Sequence, residues 1–249
     1  MPISIQNSVG SGGGNKPEDV RAVKTRLIEL GFKWLGEEGE IDKVDQLTID
    51  TIKLFQTIKT GLNTITGDGT VDVNGDTLKW LQANNSPRWQ TMPAGSRDEG
   101  FVNDELADKS DFHDFGTNWL ADTLRDTGTK YKADFLNAHP TAAVLSINDT
   151  SLPRGGFTKA HATHQSGLAS DIRLPRKDGK VGGITVADTA SYDRSAMRAM
   201  LKAFLVQPLA KRVLLNDSTL IAEGLCSHAA GHENHAHFEI KPPARVMDT

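Results

Sequence analysis

The amino-acid sequence predicts an α+β protein in three stretches: a small three-helix domain over residues 1–84, a linker over 85–97, and a C-terminal domain over 98–249 with a central, mostly antiparallel sheet. Three observations lead there. Apolar residues recur at helical spacing in three short stretches before residue 84. The run Asn84 to Ser96 (NNSPRWQTMPAGS) carries two prolines, a glycine and several polar residues, which is linker composition. Beyond it, strand-like and helix-like stretches lack the regular alternation of a doubly wound sheet.

The elements follow in chain order. Ser8 to Asn15 (SVGSGGGN) is a glycine-rich lead, and Pro17 suits a first helical turn. Val20, Val23, Leu27 and Leu30 share one helix face, with Gly31 placed to end it. Asp45 to Lys59 repeats the pattern through Ile49, Ile52, Phe55 and Ile58. After the turn residues Gly67-Asp68-Gly69, Asp76 to Gln82 forms a third short helix carrying Leu78, Trp80 and Leu81. In the second half, Asn118 to Phe135 reads as a helix, and Ala142 to Ile147 and Asp171 to Leu174 as strands. Asp193 caps a helix bearing Met197, Met200, Leu201 and Phe204, and Val213 to Leu215 and Ala236 to Ile240 read as further strands.

Composition excludes several function classes. A formal net charge of −4 gives no basic footprint for nucleic acid or for an anionic membrane surface. Cys226 is the single cysteine, so an intramolecular disulfide is impossible and a metal site has to use histidine and carboxylate. No run reaches the ~18 apolar residues of a membrane span, and the polar start lacks the features of a secretory signal. The expectation is a chain made in the cytoplasm without a signal peptide.

The chemistry concentrates in histidines. Of eight, His161 and His164 fall in HATHQSGLASDI and His228, His232, His235 and His237 in a second short stretch. Residues two apart on a strand face the same way, so His235 and His237 project side by side. A catalytic zinc uses three protein ligands at about 2.0–2.2 Å and leaves a fourth position to water, and His164, Asp171 and His237 supply such a set. A metal there brings the pKa of a bound water down towards ~7, and His235 is then placed to move protons.

The runs RGGFTKAHATHQSGLASDI, Arg154 to Ile172, and HENHAHFEI, His232 to Ile240, resemble the penicillin-insensitive murein endopeptidases, within the wider lysostaphin, D-Ala-D-Ala peptidase and hedgehog group. The resemblance implies zinc (Zn2+) as cofactor on His164, Asp171 and His237, His235 in the catalytic position, and His161 and His232 beside the metal. It makes Arg154 a candidate for holding a substrate carboxylate, against the alternative of a structural ion pair. The N-terminal stretches DVRAVKTRLIELGF, TIKLFQ and GDGTVD resemble three-helix peptidoglycan-binding domains, with Trp34 read as an exposed aromatic suited to sugar faces and Phe55 and Trp80 as core.

Together these imply hydrolysis of the D-alanine to diaminopimelate amide in peptidoglycan cross-links, in the periplasm or cell wall. Delivery is as a secreted antibacterial effector or a phage-type endolysin. Peptidoglycan is the expected partner, with an immunity protein or a secretion apparatus as further partners. Two alternatives stay open: a zinc carboxypeptidase on uncross-linked stems, and a non-catalytic wall-binding protein that zinc stabilises. His113, His139 and His228 read as surface or satisfied histidines, Gly67-Asp68-Gly69 as a turn, and Cys226 as a small buried side chain.

Overall fold

The computed structural model describes residues 3–108, 111–159 and 162–247. It is a mixed α+β structure, with seven α-helices and a mostly antiparallel sheet among the described residues.

The first helix, α1 (Pro17–Glu29), starts on its proline and turns its apolar face, Val20, Val23 and Leu27, inward. Gly31 follows at φ +96°, and a Cβ there would meet the Trp89 carbonyl. A short helix that the periodicity does not reveal, α2 (Trp34–Glu37), comes next. Helix α3 (Gln46–Thr60) opens on a capping box in which Asp45 accepts from the Thr48 N–H at 2.7 Å, and it closes on Gly61. Helix α4 (Asp76–Gln82) completes the set. The glycine-rich lead and the Gly67–Gly69 turn flank a two-stranded ribbon, β1 (Val9–Gly10) with β2 (Thr70–Val71). Phe55 and Trp80 are buried as expected. Trp34 is a correction: it is 7% exposed, and its indole N–H donates to Thr51 Oγ1 at 2.8 Å. Its amphipathic ring satisfies its one polar atom inside the core, leaving only an edge of the ring at the surface rather than a face for a sugar.

The stretch of linker composition is ordered by two apolar anchors, Trp89 and Met92. It forms β3 (Trp89–Thr91) and β4 (Gly95–Ser96). Trp89 stacks on Phe32 with ring centroids 6.1 Å apart and meets Trp34 edge-on, while Trp80 meets Trp119. The buried apolar side chains of both halves consequently join in one cluster.

The six-stranded sheet runs β4, β5 (Phe101–Asn103), β7 (Leu145–Ile147), β8 (Ala169–Arg173), β10 (His235–Ile240), β9 (Ala210–Leu214). Among the described strands, β5 with β7 is the one parallel pair. A separate strand, β6 (Phe115–Thr117), pairs with β3 and leads into α5 (Asn118–Tyr131), which ends in a π-helical turn at Lys132–Leu136. Helix α6 (Arg194–Leu205) is capped by Asp193 as its sequence predicts, and α7 (Ser218–Ala222) by Asp217. Strand alternation divides the labour on β10. Ala236, Phe238 and Ile240 are fully buried, with Phe238 stacked on Phe204 of α6 at 4.2 Å, so His235, His237 and Glu239 take the opposite face. No helix among the described residues is long and apolar enough to cross a membrane.

Candidate metal centre

Two adjacent antiparallel strands build the site. The register sets His237 directly across from Asp171 and His235 across from Arg173, so these four side chains share the face away from α6. The third group, His164, comes from the loop that feeds β8. That loop is held tightly: the Ser151 hydroxyl donates to the His164 carbonyl and accepts from the Gly167 N–H at 2.8 Å. Gly167 has φ +65°, and a Cβ there would lie 2.6 Å from Gly116 Cα, so the turn that aims His164 requires glycine.

Residues from the first half grip the same loop. The Ile65 N–H donates to Gln165 Oε1 at 2.9 Å, and the Ser166 hydroxyl donates to the Leu62 carbonyl at 2.7 Å.

Three ligand atoms converge. His164 Nε2 lies 3.0 Å from His237 Nδ1, His237 Nδ1 lies 2.9 Å from Asp171 Oδ1, and His164 Nε2 lies 3.3 Å from that same oxygen. A tetrahedral centre with bonds of about 2.0–2.1 Å separates its ligands by about 3.3 Å, so this triangle has the dimensions that a small divalent cation needs. All three residues are buried, and together they can hold a metal ion.

The protons are arranged to match. His164 Nδ1 lies 2.9 Å from the Thr150 carbonyl, which only accepts, so the proton sits on Nδ1 and Nε2 presents its lone pair. Behind His237, Nε2 faces Glu239 Oε1 at 3.4 Å, and the buried Glu239 is paired with Arg212 at 2.6 Å and Lys211 at 3.2 Å. Burial works against a charged His237, yet hydrogen bonds to Asp171 and Glu239 outweigh it and raise its pKa to about 9. Burial likewise disfavours the Glu239 carboxylate, but His237 and Arg212 hold its pKa far below the ordinary range. Without a cation a proton fills the space between His237 and Asp171, and cation binding has to displace it.

His235 stands beside this triangle rather than in it. Its Nε2 is 3.6 Å from Asp171 Oδ2, its Nδ1 is 2.8 Å from Asn234 Oδ1, and it lines a cleft of about 550 Å³ with Asp171, Arg173, Asp149, Thr185 and Asn234. Burial lowers its pKa, against the pull of Asp171, which keeps a proton acceptor available near neutral pH. His232 is half-buried, with its ring 4.8 Å from that of His235 and 5.7 Å from that of His237. His161 lies outside the described residues.

Arg154 sits elsewhere. It pairs with Glu38 and borders a groove containing Trp34, Gly155 and Phe157, which is the ion-pair alternative left open by its sequence context. Arg173 is the arginine that lines the cleft. Glu239 and Arg173 escape sequence reasoning, although the two-residue strand period that links His235 to His237 extends to Glu239, and from Asp171 to Arg173. No family model matches the chain, and no curated protein matches it either.

Proposed function

We propose that this chain is a zinc-dependent peptidase that hydrolyses peptide cross-links in bacterial peptidoglycan, at the amide between D-alanine and diaminopimelate. The observation that carries the reading is the buried triangle of His164, Asp171 and His237 beside a cleft, with His235 next to it and outside the ligand set. The resemblance of the two histidine stretches to the murein endopeptidases supplies the substrate class.

When bound, zinc supplies Lewis-acid polarisation of the scissile carbonyl and makes water nucleophilic near neutral pH. The chain's own residues do the rest. His235 Nε2 accepts the proton of the attacking water and returns it to the leaving amine nitrogen. Asn234 orients that ring through Nδ1. Arg173, across the strand pair from His235 and 3.7 Å from Asp104 Oδ2, is the cleft cation that would meet a stem-peptide carboxylate. Glu239 holds the tautomer of His237, and Thr150 that of His164. In this reading residues 1–84 form a peptidoglycan-binding unit and residues 98–249 the catalytic part, acting outside the cytoplasmic membrane as an effector or an endolysin.

Incubating zinc-loaded protein with purified cross-linked muropeptide dimers tests the proposal. Mass analysis is expected to find disaccharide-peptide monomers without free D-alanine. Free D-alanine from pentapeptide stems, with dimers intact, would instead make the chain a carboxypeptidase. Wall binding with neither product would make it a binding protein.

A further inference from the structure

A second cluster of ligand-type side chains stands apart from the histidine triangle, gathered from three stretches: Glu105 and Asp108, Asp111 and His113, and Asp149. His113 Nδ1 lies 3.2 Å from Asp111 Oδ2 and 4.0 Å from Asp149 Oδ1. Ligand atoms of Asp111, His113 and Asp149 fall within 4.8 Å of one another, and so do those of Glu105, Asp108 and Asp111, so Asp111 belongs to both sets. Glu105 is 2% exposed and His113 5%, whereas Asp108 is exposed and the Asp111 side chain half-buried, which leaves the cluster one open side.

Two oxygens here, Glu105 Oε1 and Asp111 Oδ1, are buried without a hydrogen-bond donor. Among the described residues, no lysine or arginine pairs with either carboxylate. An acceptor stripped of water and given no donor costs of the order of 1–3 kcal/mol, more when charged, so something is expected to occupy the space between them. A shared proton bridges one pair of oxygens. The cluster offers more than a pair: through Asp111 the Glu105 and Asp108 carboxylates adjoin a set that adds an imidazole nitrogen and the Asp149 carboxylate, and a mixed nitrogen and oxygen set of this kind is what a divalent cation takes up.

We propose that Glu105, Asp111, His113 and Asp149, with Asp108 at the open side, form a second divalent-cation site, for Zn2+ or Mn2+, distinct from the one built by His164, Asp171 and His237. This site joins the segment after β5 to the end of β7. It also adjoins the first site, because the Asp171 N–H donates to the Asp149 carbonyl at 2.8 Å, the Asn148 N–H donates to the Asp171 carbonyl at 2.8 Å, and Asp149 lines the same cleft as His235. The assignment stands on these side chains and does not depend on the proposed hydrolysis.

Metal counting on the full chain tests it. Protein stripped with chelator is dialysed against micromolar Zn2+, and against Mn2+ in parallel, and bound metal per chain is measured. Two cations per wild-type chain are expected, one after His237→Ala, one after the double change Glu105→Gln and Asp111→Asn, and none when all three are combined. A wild-type chain that binds at most one cation, with that cation lost in His237→Ala, overturns the proposal. So does a double variant that still binds two. A single wild-type cation that is lost in the double variant but kept in His237→Ala would uphold this site while removing the metal from the proposed hydrolase. A measurement on unaltered protein guards against misfolded variants: the His113 ring resonances, followed by 15N NMR during zinc titration, are expected to shift. Resonances that stay still up to two equivalents also overturn the proposal.

Discussion

The two ionisable clusters of this molecule rest on different supports. The histidine triangle is strand-borne: Asp171 and His237 face each other in a fixed antiparallel register, and the third member sits on a loop pinned by Ser151, Gln165 and Ser166. The Glu105–Asp149 cluster is loop-borne, assembled from segments at the ends of β5 and β7 and before β6. In the first, each ring has a partner behind it that fixes its tautomer. In the second, carboxylates crowd together, and burial with the neighbouring Asp111 and Asp149 raises the proton affinity of Glu105. Rigid geometry and pre-set protonation suit the triangle to holding a cation in one fixed arrangement, while the loop cluster is suited to holding its segments together around whatever neutralises it.

The largest expected effect strikes the triangle. His164→Ala or His237→Ala is expected to abolish both metal retention and hydrolysis, read by metal analysis and muropeptide turnover, because two remaining ligands cannot close the site. Normal turnover in either variant would dissolve the contrast between the clusters. His235→Ala should separate binding from turnover, keeping about one cation at the triangle while kcat falls by about 10²–10⁴. Glu239→Gln is expected to weaken metal affinity at the triangle by about 10–100-fold, measured by competition with a chelating dye, since His237 loses its carboxylate partner.

The smallest effect concerns the loop cluster. Burial, then contact with Asp111 and the nearby charge of Asp149, pushes Glu105 up to about 8, from 4.5 for an ordinary carboxyl. The folded chain therefore keeps a proton in this window that the unfolded chain has released, so metal-free protein loses stability as pH rises from about 4.5 to about 8. Thermal melts in chelator across that range should show the decline, and Glu105→Gln should flatten it. An unchanged slope in the variant would place the titration elsewhere.

Legibility in the sequence follows the same divide. Helices α1, α3, α4 and α6 announce themselves through long apolar periods and caps such as Asp45 and Asp193. The spacing of the site residues, His164 to Asp171 and His235 to His237, is equally plain, because each pair lies within one short stretch. Strands β1 and β2 are two residues each, too short for any period to register. Trp89 was hidden by averaging, since one tryptophan among prolines and polar residues still reads as linker until its burial against Phe32 is known. The Glu105–Asp149 cluster leaves a partial trace: Glu105, Asp108, Asp111 and His113 fall within one short stretch, but Asp149 joins them only in the fold, through the pairing of β5 with β7 and the bridge between Phe115 and Ser151. His113 illustrates the point, a lone histidine by sequence and a buried neighbour of Asp111 in the fold. Cys226 follows its expectation more loosely: it is half-buried, and burial raises its thiol to about 11, so it stays protonated and unreactive near neutral pH.

The hand-clasp between Leu62, Ile65 and the Gln165–Ser166 segment has a mechanical corollary. Because the turn that aims His164 is fastened to the backbone just beyond α3, loosening the helices at one end should slacken the grip on a cation at the other. Heating should accordingly release bound metal and melt α1 and α3 at one temperature, and a protease cut near residue 64 should cost the chain its metal even though every ligand remains in place.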